Sequence, residues 1–193
     1  MKNRKQLILP DDSDMISSVS PTMREKFLKR WLMSEGLIYV YFGDGKGKTT
    51  AAVGQAIRAA SQGKSVFIVQ FLKGKNQTEL DFIRRLEPEI KLFTFEKSDE
   101  FYFDLSEEEK KEAIANIRNG LNFAKKVLAT GECDCLILDE ALGLIDNQIV
   151  TIEDFKALIA AKPEDKSLVI TGIQLPDEIC ELADEVSRVV TVK

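Results

Sequence analysis

Leu37-Ile38-Tyr39-Val40-Tyr41-Phe42-Gly43-Asp44-Gly45-Lys46-Gly47-Lys48-Thr49-Thr50 reads as a short apolar strand, a glycine-rich turn and the start of a helix. That order builds a phosphate cradle. Backbone N–H groups of the turn converge on an anion, and the helix dipole adds about half a positive charge at the same place. Lys48 can reach phosphate oxygens, Thr49 offers a hydroxyl to Mg²⁺, and Thr50 continues the first helical turn. Gly43, Asp44, Gly45, Lys46, Gly47, Lys48, Thr49 and Thr50 are therefore the expected nucleotide-binding residues, with Lys48 as the catalytic one. Lys48 is expected to project from a solvent-facing loop. The strict P-loop pattern G-x-x-x-x-G-K-[ST] asks for glycine at position 42, where Phe42 stands. The dinucleotide pattern G-x-G-x-x-G fails at Lys48. The stretch is a variant P-loop.

Composition limits the remaining possibilities. The 193 residues are 44% hydrophobic, enough for one globular α/β domain. A net charge of −5 argues against a broad nucleic-acid footprint. No apolar run approaches the roughly 20 residues of a membrane helix, and the N terminus is too short in apolar residues for a secretory signal. Cys133, Cys135 and Cys180 lack a C-x-x-C spacing and read as buried thiols of a reducing compartment. Histidine is absent, which removes the commonest general base. A cytoplasmic protein without nucleic-acid or membrane partners is the expectation.

Residues 1–20 read as a flexible arm, and residues 21–35 as a helix opened by Ser20-Pro21 and closed by Gly36. Its apolar stripe of Met23, Phe27, Leu28, Trp31 and Leu32 suits packing on its own domain, capping of the site or docking of a partner subunit. Residues 36–193 form the P-loop domain. Within it, helices are expected over 51–60, 78–86, 151–160 and 176–183. A longer one runs to Thr130 from a capping box at Ser106-Glu107-Glu108-Glu109. Strands are expected over 65–71, 90–95, 135–138, 167–170 and 189–192. This alternation implies an α/β fold: a doubly wound, mainly parallel sheet of the P-loop NTPase type with helices on both faces.

Ligands of such sheets sit beyond the carboxyl ends of the strands. Cys135–Leu138 delivers Asp139-Glu140, an acidic pair of Walker B type, and either carboxylate can hold Mg²⁺ opposite Thr49. An acidic helix cap is the structural alternative. The strand ending at Gln70 leads to Lys73 and Lys75, which suit either phosphate contact or solvent. Thr171-Gly172 is a tight strand exit beside the same site, or simply a turn. Phe93 and Phe95 alternate as core residues do. Phe101-Tyr102-Phe103 cannot all face one core, so they either pin a loop or offer a surface to a large flat ligand.

With these residues in view, the chain resembles the P-loop corrinoid adenosyltransferases, which act on cob(I)alamin or cob(I)yrinic acid a,c-diamide. The carrying segments are Val40–Ala52, Val69–Gly74, Thr78-Glu79-Leu80, Leu138-Asp139-Glu140, Lys162-Pro163, Val169–Gly172 and Ala183-Asp184. The resemblance spans roughly residues 36–190. It implies transfer of the 5′-deoxyadenosyl group of ATP to a Co(I) corrinoid with release of triphosphate. It also implies Mg²⁺, a homodimer and a flavoprotein reductase as electron supplier. The loop then holds a leaving group, and Co(I) needs no general base. Phe101 and Phe103 match the family's F-x-W aromatics, which shield the lower face of the corrinoid. Two features depart from the pattern. Ile173 replaces an arginine of the family, and the chain stops at Lys193, before the family's Lys-His-rich tail. A nucleotide- or corrinoid-binding protein without turnover, and a general P-loop ATPase, are the alternative readings.

Overall fold

The computed structural model describes residues 36–72, 78–95 and 102–193, which belong to one compact unit from Gly36 to Lys193. The expected arm and helix of residues 1–35 lie outside the described residues, as do Lys73, Lys75 and Phe101. Six strands form one sheet: β1 (Ile38–Phe42), β2 (Val66–Gln70), β3 (Ile90–Thr94), β4 (Cys135–Asp139), β5 (Ser167–Gly172) and β6 (Glu185–Arg188). Their order is β3-β2-β4-β5-β1-β6, and every neighbouring pair is parallel. The helices are α1 (Lys48–Ser61), α2 (Glu107–Thr130), α3 (Gly143–Asp146), α4 (Ile152–Ile159) and α5 (Asp177–Cys180).

Strand alternation sends successive side chains to opposite faces, and here both faces are covered. Leu136 and Leu138 of β4 join Val69, Phe71, Leu168 and Ile170 under α2 and α4. Cys135 and Ile137 face the other way, with Ile68, Ile90 and Val169, under Ala52 and Ala56 of α1. The doubly wound expectation holds. Phe93 and Phe95 pack as a core pair should, with ring centroids 4.6 and 5.6 Å from Phe123. Gly120 makes this possible in mid-helix, since a Cβ there would lie 2.9 Å from the Phe95 ring and 3.0 Å from that of Phe71.

Several boundaries differ from expectation. Residues Thr78–Leu86 form a 3₁₀ helix, whose three-residue turn brings Ile83 and Leu86 onto the core together. The last helix shrinks to the single turn of α5. The final strand lies at Glu185–Arg188, not at 189–192, and all four of its residues are exposed. Asp184 sets that register. Its N–H donates to the Ile38 carbonyl at 2.9 Å, and its carboxylate accepts the Ile38 N–H at 2.9 Å. Pairing from this anchor matches Tyr39 with Glu185 and Phe42 with Arg188, which carries Val189 past the end of β1.

The amino end of the sheet is fastened by charge. Lys162 Nζ donates to the carbonyls of Gly36, Pro163 and Lys166 at 2.8–3.0 Å, so it ties the entries of β1 and β5. Lys166 donates to Asp134 at 2.8 Å. That bond, helped by the Ser65 N–H, holds the Asp134 carboxyl down at about 2. Burial pushes the Cys133 thiol up to about 11 and that of Cys135 to about 12, so neither is a thiolate nucleophile near neutral pH. Cys180, contrary to expectation, is exposed, because α5 turns it outward.

Candidate nucleotide site

Register levels the strand exits. Gln70 lies beside Asp139, Leu138 beside Ile170, and Phe42 beside Gly172. The last residues of β2 and β4, the Thr171 of β5 and the loop after β1 therefore meet at one end of the sheet. Among the described residues the buried polar and charged side chains are Lys48, Gln70, Asp139 and Thr171, and all four stand at this end.

Asp139 is the hub, with only 1% of its surface exposed. Thr49 Oγ1 donates to its two carboxylate oxygens at 2.9 and 3.2 Å. Gln70 Nε2 donates at 3.2 Å and Thr171 Oγ1 at 2.8 Å. Burying a carboxylate costs several kcal/mol unless donors replace its water, and each bond to a charged group returns about 1.5–3 kcal/mol. The Thr171 hydroxyl is fixed in turn by accepting the Glu140 N–H at 2.8 Å. Glu140 itself has φ +58°, a left-handed conformation costly for a side-chain-bearing residue. Of the acidic pair, Asp139 is the carboxylate bonded to the loop threonine.

The loop runs from Gly43 to Gly47, and α1 starts at Lys48. Gly47 has φ +110° and nothing within 4 Å of where a Cβ would be, so it borders open space. Helix α1 has no side-chain cap and no acidic residue in its first turn. A helix start of this kind suits an anion, since its dipole is not answered by a carboxylate of its own first turn. Lys48 departs from its expected place in solvent. It is buried, and its ammonium curls back to donate to the Gly45 carbonyl at 3.1 Å. The cause is its position as first residue of α1, under the loop. Asp44, Lys46 and Thr50 are exposed around the same loop.

The donor set suits Mg²⁺. A threonine hydroxyl and a buried carboxylate are hard oxygen ligands, and Mg²⁺ completes its shell with water and substrate phosphates. Among the described residues no three His, Cys, Asp or Glu side chains cluster as an all-protein metal cage. Phe103 falls in the 3₁₀ turn Tyr102–Asp104, and its side chain is outside what is described. The middle aromatic, Tyr102, is buried with Leu105 and anchors that turn in the core. Ile173 is 55% exposed, and its carbonyl accepts the Gly43 N–H at 3.0 Å. A separate pocket of about 360 Å³ between α2 and α4, with Arg118, Lys125 and Asp154 in its wall, touches none of these loop residues.

The structure brings the expected Thr49 and Asp139 together, and it adds Gln70 and Thr171, whose bonds to Asp139 sequence reasoning did not give. A signal existed. Each is a polar residue at the exit of an otherwise apolar strand, and the order of the strands makes them neighbours of Asp139.

No helix among the described residues is long and apolar enough to cross a membrane. The profile of the family described as ATP:corrinoid adenosyltransferase BtuR/CobO/CobP matches residues 34–193. The corrinoid adenosyltransferase of Escherichia coli (strain K12) is 35% identical over 161 residues, covering 82% of this chain and 78% of that protein. Corrinoid adenosyltransferase CobA of Salmonella typhimurium is 32% identical over 163 residues, with coverages of 82% and 78%. That of Pseudomonas aeruginosa is 29% identical over 159 residues, with 82% and 76%. A match over nearly all the described chain, on a P-loop whose threonine meets a strand-end aspartate, makes this protein a member of the ATP:corrinoid adenosyltransferase family.

Proposed function

We propose that this protein transfers the 5′-deoxyadenosyl group of ATP to a Co(I) corrinoid at the loop between β1 and α1. The observation that carries the reading is the Thr49–Asp139 pair at the uncapped start of α1, in a chain of this family. Co(I) attacks the 5′ carbon with its electron pair. The Co–C bond forms, the C–O bond to triphosphate breaks, and that bonding pair leaves with the triphosphate. No proton moves, so a site without histidine suffices.

Leaving-group stabilisation is the task left to the protein. The first N–H groups of α1 and the helix dipole meet the growing negative charge, and Lys48 turns from the Gly45 carbonyl to a phosphate oxygen. Thr49 and Asp139 would hold Mg²⁺, and Gln70 and Thr171, as donors to the Asp139 carboxylate, keep it oriented. Bound Mg²⁺ supplies a second positive charge to the triphosphate. Glu140, the other carboxylate of the pair, orders the strand exit through its N–H. Phe101 and Phe103 form the corrinoid plate, as the family resemblance implies, and Tyr102 between them in sequence is buried in the core. A homodimer, a flavoprotein reductase as electron supplier and a cytoplasmic location complete the reading, and the family resemblance supports them.

An anaerobic assay with Mg-ATP and chemically reduced Co(I) corrinoid tests it. The expected result is a light-sensitive alkyl-cobalt spectrum with stoichiometric triphosphate. ADP and phosphate without that spectrum would overturn the reading in favour of an ordinary ATPase.

A further inference from the structure

The three glycines of the phosphate loop do different work. Gly47 faces open space, but Gly43 and Gly45 face the chain's own last residues. Beyond β6, Val189 N donates to the Phe42 carbonyl at 2.7 Å, and the Val189 carbonyl accepts the Gly45 N–H at 3.0 Å. A Cβ on Gly43 would lie 2.2 Å from the Val189 carbonyl oxygen, and one on Gly45 would lie 2.7–2.8 Å from Val190 backbone atoms. Across the loop, the Gly43 N–H reaches the carbonyls of Gly172 and Ile173 at 3.2 and 3.0 Å. The first half of the loop is thus laced on both sides to the exits of β5 and β6.

We propose that Val189-Val190 is a positioning segment of the nucleotide site, a backbone strap that sets the path of Gly43–Gly45 before ATP arrives. The inference rests on the ATP reading above and deepens it. Ordering a loop residue on binding costs about 1–2 kcal/mol, so a loop already held by its neighbours binds triphosphate more tightly. The Gly45 N–H is spent on the strap and the Gly43 N–H on the exit of β5, so neither is offered to the anion. Val190 stays 48% exposed, so its side chain adds little to the contact. The strap acts through its backbone.

That gives it a recognisable signature under substitution. Val189→Pro removes the N–H bonded to Phe42, and Gly45→Ala drives a methyl group into Val190. Val190→Ala keeps every backbone contact. Steady-state kinetics with ATP and Co(I) corrinoid varied in turn separate the outcomes. For Val189→Pro and Gly45→Ala the KM for ATP rises about tenfold, the effect of roughly one backbone hydrogen bond. For Val189→Pro kcat at saturating ATP and the KM for corrinoid stay within a factor of two or three, and Val190→Ala matches the parent on all three. An unchanged KM for ATP overturns the strap, as does a parallel loss in kcat and both KM values in Val189→Pro, which would mark a general structural role. If Val189→Pro does not fold, Gly45→Ala decides on the KM for ATP against the KM for corrinoid, a parallel rise in both overturning the strap. A parent protein that shows no saturation by ATP would defeat the ATP reading itself, whereas a saturable parent matched by both variants defeats the strap alone.

Discussion

Helix α2 begins at Ser106, whose hydroxyl accepts the Glu109 N–H while the Glu109 carboxylate accepts the Ser106 N–H at 2.9 Å. Helix α4 begins the same way, with Thr151 and Asp154. Helix α1 begins at Gly47, which has no side chain to offer, and its first turn is Lys48-Thr49-Thr50 where α2 has Glu107-Glu108-Glu109. The first two helices answer their own dipole and spare N–H groups. The third has no side-chain cap and no carboxylate in its first turn, the arrangement that suits a bound anion. The one-turn helices α3 and α5 also lack a side-chain cap, but each has an acidic residue in its first turn, and α1 has none. That contrast supports the loop before α1 as the anion site.

The largest way to test the contrast is to disarm the partner of the open helix. Asp139→Asn keeps the shape of the hub but removes the charge opposite Thr49. The expected loss is about 10²–10³-fold in kcat, the scale of losing one electrostatic contact to a developing charge. Normal turnover in that variant would detach the hub from the chemistry. A second change makes α1 resemble α2. Thr50 occupies the third helical position, where α2 carries Glu109, and it is exposed. Thr50→Glu places a carboxylate against the open N terminus. The apparent melting temperature should hold or rise while ATP affinity falls at least about tenfold, from repulsion and competition for the same N–H groups. Equal ATP binding in that variant would mean the triphosphate sits elsewhere. The smallest effect comes from the opposite edit. Ser106→Ala opens the start of α2 and should cost about 1 kcal/mol in denaturant unfolding, with ATP affinity unchanged. A change in affinity there would show that the two helix starts are coupled.

The Ser106 box, the Gly-Lys-Thr loop and the Asp139 strand end are local patterns, and each stands where the sequence put it. Local patterns survive because their partners lie within a few residues: a cap needs its N3 residue, and a loop needs its glycines. The final strand failed for the complementary reason. Val189–Val192 has the stronger strand propensity, but Asp184, bonded to Ile38, fixed pairing at the exposed Glu185–Arg188 instead. Tertiary register outweighed propensity. Lys48 failed similarly, because its burial depends on the loop folding back above it.

The sequence by itself determined the fold class, the glycine-rich loop between β1 and α1 and the carboxylate at the end of β4, since strand-and-helix periodicity and glycine spacing are properties of neighbouring residues. Only the tertiary structure decided that Gln70 and Thr171 hold Asp139, and that Val189 bonds to Phe42 and Gly45. Those contacts join residues from 32 to more than a hundred positions apart. They exist because the strand order β3-β2-β4-β5-β1-β6 levels the exits of distant strands at one edge of the sheet, a geometry that no local pattern encodes.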